Sequence, residues 1–156
     1  MMTMRTVYPF SSPLVYSECQ IEVDSTTRLE RNVMADKKTI FVAFAIEDER
    51  QRDFLKGHSL NAKCPIEFID YSVKEAYTED WKSKVRTRIR RSDGVIVLAS
   101  ANSLKSSGQK WEITCAAEEK KPVYSIWAYT DDRTSIPGVT THLWTWDGIT
   151  KFIDGL

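Results

Sequence analysis

The residues best suited to chemistry are Glu112 and Trp111, in the block Trp111-Glu112-Ile113. An apolar run, Gly94-Val95-Ile96-Val97-Leu98-Ala99, feeds a polar loop from Ser100 to Ser107, and a helix then opens with Glu112 in its second turn. In an open α/β sheet this is the rim outside the carboxyl ends of the strands, where ligands bind. A lone carboxylate there is a candidate reacting group, and an indole beside it is a candidate stacking wall. The plainer alternative is a solvated acid that complements the helix dipole and a Trp that packs the helix on its neighbours.

Metal chemistry is poorly provided for. The chain has three cysteines, Cys19, Cys64 and Cys115, with no Cys-x-x-Cys pair, and only two histidines, His58 and His142. Neither a zinc knuckle nor a disulfide framework fits that spacing, and the cysteine usage points to a reducing cytoplasm. The basic run Lys82, Lys84, Arg86, Arg88, Arg90 and Arg91 spreads over a solvent face without interleaved aromatics. It suits a solvated or partner-binding helix better than nucleic-acid recognition. Lys+Arg and Asp+Glu both number 22, a balance that also argues against a dedicated nucleic-acid binder.

The elements that must position Glu112 come from 156 residues, enough for one domain with a sizeable core. Residues 1–37 lack a sustained period and hold scattered Ser, Thr and Pro; the string Met34-Ala35-Asp36-Lys37-Lys38 resembles a natural start of translation. They read as a poorly structured N-terminal extension without chemistry of its own. Val7 to Tyr16 contains two prolines and lacks the long apolar region of a signal peptide, and no run approaches the ~20 apolar residues of a membrane span.

From residue 38 to 156 strand and helix alternate. Thr39 to Ala45 is a continuous apolar run, as for a strand covered on both faces. A helix follows from Asp48, a good N-cap type, to Lys56, with Gly57 as its stop. Ile66 to Asp70 is the second strand. Glu79 to Arg91 is a helix with Trp81, Val85 and Ile89 in one apolar stripe. Val95 to Ala99 is the third strand. The third helix, about Ser107 to Glu119, opens on a Ser106-x-x-Gln109 capping box and turns Ile113, Ala116 and Ala117 inward. Pro122 to Ala128 is the fourth strand, Thr141 to Trp144 a short fifth, and Trp146 to Leu156 a closing helix. This order predicts a flavodoxin-like three-layer α/β/α fold with a parallel five-stranded sheet in the order 2-1-3-4-5.

The strand-end loops discriminate among chemistries on such a fold. Ala45-Ile46-Glu47-Asp48-Glu49 would repel a flavin phosphate, and Ala99-Ser100 stands where a receiver domain needs its phosphorylatable Asp. No Gly-x-Gly-x-x-Gly or Gly-Lys-Ser/Thr string exists.

Several blocks together resemble the TIR-like domain family, in the branch that includes the Thoeris antiphage TIR proteins. They are Phe41 to Arg50; Phe68-Ile69-Asp70-Tyr71-Ser72-Val73-Lys74-Glu75 followed by Trp81; Ile89 to Ile96; Gly108-Gln109-Lys110-Trp111-Glu112-Ile113; and Lys121-Pro122-Val123. Ala43 stands where the family often has Ser, and Gly108 where many members have a further Trp. The resemblance implies cleavage of the nicotinamide–ribose bond of NAD, as substrate rather than cofactor, giving ADP-ribose or a cyclic or conjugated signal nucleotide. It places the essential glutamate at Glu112, and it implies self-association and a signal-sensing effector as partner.

A pyridinium base departs neutral and needs little acid catalysis, while positive charge develops on the ribose. A carboxylate near the ribose orients the ring and offsets that charge. Near a helix N-terminus Glu112 is expected to stay ionised, and its loss to cost on the order of 3 kcal/mol of barrier, about a hundredfold in rate. The expected ligand contacts are Phe44, Ala45 and Ile46 after strand one, Asp70, Tyr71 and Ser72 in the lid-like loop after strand two, Ser106 at the helix cap, and Trp111. Core packing is the alternative for Phe44, Ala45 and Ile46, an Asx turn for Asp70 and capping for Ser106. Two other readings stand beside the enzyme: a non-catalytic TIR-like interaction module, and a nucleoside deoxyribosyltransferase-type enzyme with a covalent glutamate adduct.

Overall fold

The computed structural model describes residues 38–59, 66–69 and 79–156. The expected extension over 1–37 and the expected contacts at Asp70, Tyr71 and Ser72 lie outside the described residues.

Five strands, β1 (Lys38–Ala43), β2 (Ile66–Ile69), β3 (Gly94–Ala99), β4 (Val123–Trp127) and β5 (Thr141–His142), form one sheet ordered β2-β1-β3-β4-β5. Every pairing is parallel. The helices are α1 (Glu49–Ser59), α2 (Glu79–Arg91), α3 (Ser107–Glu118) and α4 (Trp146–Asp154), with short 3-10 turns at Ile46–Asp48 and Ala101–Leu104. The α/β class and the parallel sheet are those expected from the alternating pattern.

Strand periodicity divides the core in two. Ile40, Val42 and Phe44 of the first strand and its end pack with Ile96, Leu98 and Ile126 against Leu55 of α1 and Ile149 and Ile153 of α4. Phe41 and Ala43 pack with Val95, Val97 and Ala99 on the opposite face, against Trp81, Val85 and Ile89 of α2 and Cys115 and Ala116 of α3. β3 is apolar throughout, and β1 is apolar from Ile40 onward, because both faces are covered there.

Some boundaries differ from expectation. Helix α1 continues through Gly57 to Ser59. Glycine permits a helix stop but does not impose one, and Gly57 sits two positions beyond the fully buried Leu55. β5 ends at His142, and Trp144 packs beside the α1–α4 core instead of extending the strand. At the other end of the sheet Gly94 permits close approach: a Cβ there would lie 2.9 Å from Leu156 Cδ1 and 3.0 Å from Phe152 Cζ.

Candidate functional site

Helix α3 carries the candidate acid, and its orientation decides that acid's chemistry. The buried positions of α3 are Gly108, Gln109, Glu112, Cys115 and Ala116. They recur as one helical face. Ala117, expected to point inward, is exposed, and Ile113 is half-buried. The expected inward face was rotated: small apolar residues suggested it, whereas the real face includes two long polar side chains.

Gln109 explains how that face approaches the sheet. It is 1% exposed, and its Nε2 donates to the carbonyl of Leu98 at 2.8 Å and of Ala43 at 3.2 Å. Those carbonyls belong to the carboxyl ends of β3 and β1. Half of the expected capping box is present, since Ser106 Oγ accepts from the Gln109 amide at 3.2 Å. The Gln109 side chain does not return to the cap; it reaches the strands instead.

Glu112 stands one turn further along, 8% exposed. Among the described residues no charged partner sets its titration: burial pushes its carboxyl up to about 8. This corrects the expectation of an ionised acid. The helix dipole acts within the first turn, whereas Glu112 is a second-turn residue on the covered face, where desolvation favours the neutral form.

Trp111 lies between α3 and α2. Its ring is 5.3 Å from that of Trp81, and the Arg86 guanidinium sits 5.8 Å from its centroid. Arg86 also bonds Glu118 at 2.6 Å and Glu119 at 2.9 Å, and Arg90 bonds Glu119 at 2.8 Å. Hydrogen bonds from Arg90 and Arg86 hold the Glu119 carboxyl below its ordinary range. Two members of the basic run, Arg86 and Arg90, therefore form an α2–α3 clasp.

The residues after β1 separate. Phe44 is buried on the α1–α4 face, away from α3, with the Arg52 guanidinium 5.0 Å from its ring centroid. Ala45 is fully buried, while Ile46 is 63% exposed at the rim. Ser106 is half-buried as the α3 cap.

Asp48 is the rim residue whose role the sequence conceals. It is fully buried, and its carboxylate is drawn into bonds far beyond the start of α1. Its Oδ2 accepts from Ser100 Oγ at 2.5 Å, and its Oδ1 accepts from Asn102 Nδ2 and Tyr129 Oη, both at 2.9 Å. One carboxylate thus joins the segments after β1, β3 and β4. Asp132 reinforces the rim by accepting from the Ala101 amide at 2.6 Å and from the Thr134 amide and hydroxyl. The sequence signal for the Asp48 cluster was an acid after strand one and a hydroxyl after strand three.

A cleft of about 470 Å³ opens at the β4–β5 end, walled by Phe54, Trp127, Tyr129, Trp144 and Trp146 and bordered by Arg133. Glu112 does not line it. Among the described residues, no group of three or more His, Cys, Asp and Glu is placed to hold a metal, and no helix is long and apolar enough to cross a membrane.

Residues 41–133, more than half of the chain and including Glu112, match the model of the family described as "Thoeris protein ThsB, TIR-like domain". The chain belongs to this TIR-like family. Among solved structures it is similar to the TIR domain of the Toll-related receptor TRR-2 from Hydra magnipapillata, at TM-score 0.54 and 13% identity over 74% of this chain and 91% of that one. At that identity the likeness concerns the TIR fold alone. No curated protein matches the chain.

Proposed function

We propose that this TIR-like protein cleaves NAD in Thoeris-type antiphage defence, breaking the nicotinamide–ribose bond to give ADP-ribose or a cyclic or conjugated ADP-ribose signal. The observation that carries this reading is Glu112, a desolvated carboxyl on the inward face of α3 within the family-matching region. NAD is the substrate, and no further cofactor is required.

The chemistry follows from that setting. When the ribose C1′–N bond breaks, its electron pair leaves with nicotinamide, which departs neutral, and positive charge develops on the ribose. A carboxylate in a desolvated site offsets such charge more strongly than one in water. Burial pushes the free side chain up to about 8, and a nearby pyridinium cation favours loss of its proton before reaction. Water adding to C1′ and losing a proton gives ADP-ribose; a nucleophile of the same nucleotide gives a cyclic product, and one of a second molecule gives a conjugate. Ile46 and Ser106 are the accessible candidates for ligand contact, and Phe44, Ala45, Asp70, Tyr71, Ser72 and Trp111 complete the proposed set.

The proposal extends to self-association and to an effector that senses the product in the cytoplasm. Two exposed apolar side chains, Phe54 and Leu143, line the aromatic cleft, and that observation also favours a second reading, a non-catalytic interaction module. A phage-challenge assay with wild type and Glu112→Gln separates the two. Loss of protection in the variant supports the enzyme, while equal protection supports the module.

A further inference from the structure

We propose that Gln109 is a positioning residue for Glu112: its carboxamide pins α3 across the carboxyl ends of β1 and β3, and this fixes how deeply the Glu112 carboxyl sits. The proposal rests on the reading of Glu112 as the reacting group. The geometry is specific to an amide of this length. At 1% exposure, Gln109 gives both Nε2 hydrogens to strand-end carbonyls, those of Ala43 and Leu98. A carboxylate in its place would face two acceptors, and an aliphatic side chain would offer no donor.

The clamp lies three positions before Glu112 on the same covered face, so the two side chains are helical neighbours. The carbonyl oxygen of Gln109 is buried with no hydrogen-bond partner among the described residues. An amide that leaves its acceptor unmet while both donors are engaged is held by its donors, and the register of α3 on the sheet is set there. Leu98 O also accepts from Ser103 Oγ at 3.3 Å, so the polar loop and the helix converge on one strand end. Stability alone would explain a buried glutamine. A positioning role adds that the environment of Glu112 changes when the clamp is cut.

The test is a carbon-13 NMR titration of the Glu112 carboxyl in the full chain, assigned by comparison with Glu112→Gln, for wild type and Gln109→Met. Methionine conserves volume and removes both hydrogen bonds. The expected result is a folded variant whose Glu112 midpoint falls by one pH unit or more as water reaches it. Its nicotinamide release from NAD is expected to fall about tenfold or more in kcat, with KM little changed. Gln109→Asn, which keeps the amide but is too short to span both carbonyls, is the second variant and carries the same expectation. An unchanged midpoint in either folded variant, or failure of both to fold, overturns the positioning role. A shifted midpoint in a chain that releases no nicotinamide, even in wild type, supports the placement and contradicts the NAD reading, so the two failures are distinguishable.

Discussion

Gln109 and Glu112 stand three positions apart on the inward face of α3, and they meet burial in opposite ways. Gln109 engages two strand-end carbonyls, whereas Glu112 has no counter-charge among the described residues and its carboxyl is pushed up to about 8 by burial. The first anchors the helix, and the second stores an unfavourable ionisation at the rim of the sheet.

A pH dependence of stability follows. The folded-state value of Glu112 is raised from 4.5 to about 8, so the unfolded chain ionises first. The wild type therefore loses stability as pH rises through that window, and the loss levels off above it. At about 1.4 kcal/mol per unit, the full effect is several kcal/mol at most. Glu112→Gln cannot ionise, so its thermal midpoint gains on wild type steadily from pH 5 to pH 8. Parallel melting curves across that range would contradict the burial of this carboxyl.

The Asp48 cluster makes a separate prediction. Asp48→Ala leaves Ser100, Asn102 and Tyr129 without their shared acceptor, and unmet buried donors are costly. The expected loss is about 3 kcal/mol in urea unfolding, with Asp48→Asn less damaging. A loss below about 0.5 kcal/mol, the usual surface range, would show that this carboxylate does not tie the rim together.

Much of the fold was legible because its signals are local. Trp81, Val85 and Ile89 recur with helical spacing, and all three are buried. The face of α3 differs from the expected one because hydropathy favours Ile113, Ala116 and Ala117 as the inward residues; only the carbonyls at the ends of β1 and β3 explain why a glutamine turns inward. Asp48 suited an N-cap on local grounds, but its partners lie 52, 54 and 81 positions away. No short-range pattern encodes such bonds, although the loop from Ser100 that supplies two of them reads as the sheet rim.

The end of α3 offers a stabilising substitution. Lys120 has φ 54°, a left-handed conformation that costs a side-chain-bearing residue roughly 1–2 kcal/mol. Its amide bonds Ala117 O at 3.0 Å, and the next amide bonds Ala116 O at 2.9 Å, as at a helix C-terminus closed by a left-handed residue. Lys120→Gly is expected to stabilise the chain by about 0.5–1 kcal/mol. A lower thermal midpoint would show that the Lys120 side chain contributes more than its backbone strain.

Trp111 can be tested apart from catalysis. Its ring packs on Trp81 beneath Arg86, so Trp111→Ala should destabilise by about 2–3 kcal/mol, and Trp111→Phe by less than half of that. Unchanged denaturant midpoints in both variants would remove Trp111 from the α2–α3 contact.

The central claim is that Glu112 serves NAD cleavage. Its most direct test is nicotinamide release by the purified full chain with NAD, with and without phage lysate, from pH 5 to pH 9, for wild type and Glu112→Gln. The account predicts release by wild type, with kcat/KM rising toward a plateau governed by an apparent pKa near 8, and a drop of about a hundredfold or more in Glu112→Gln. Absence of nicotinamide under every condition, or equal release by the two chains, would contradict it.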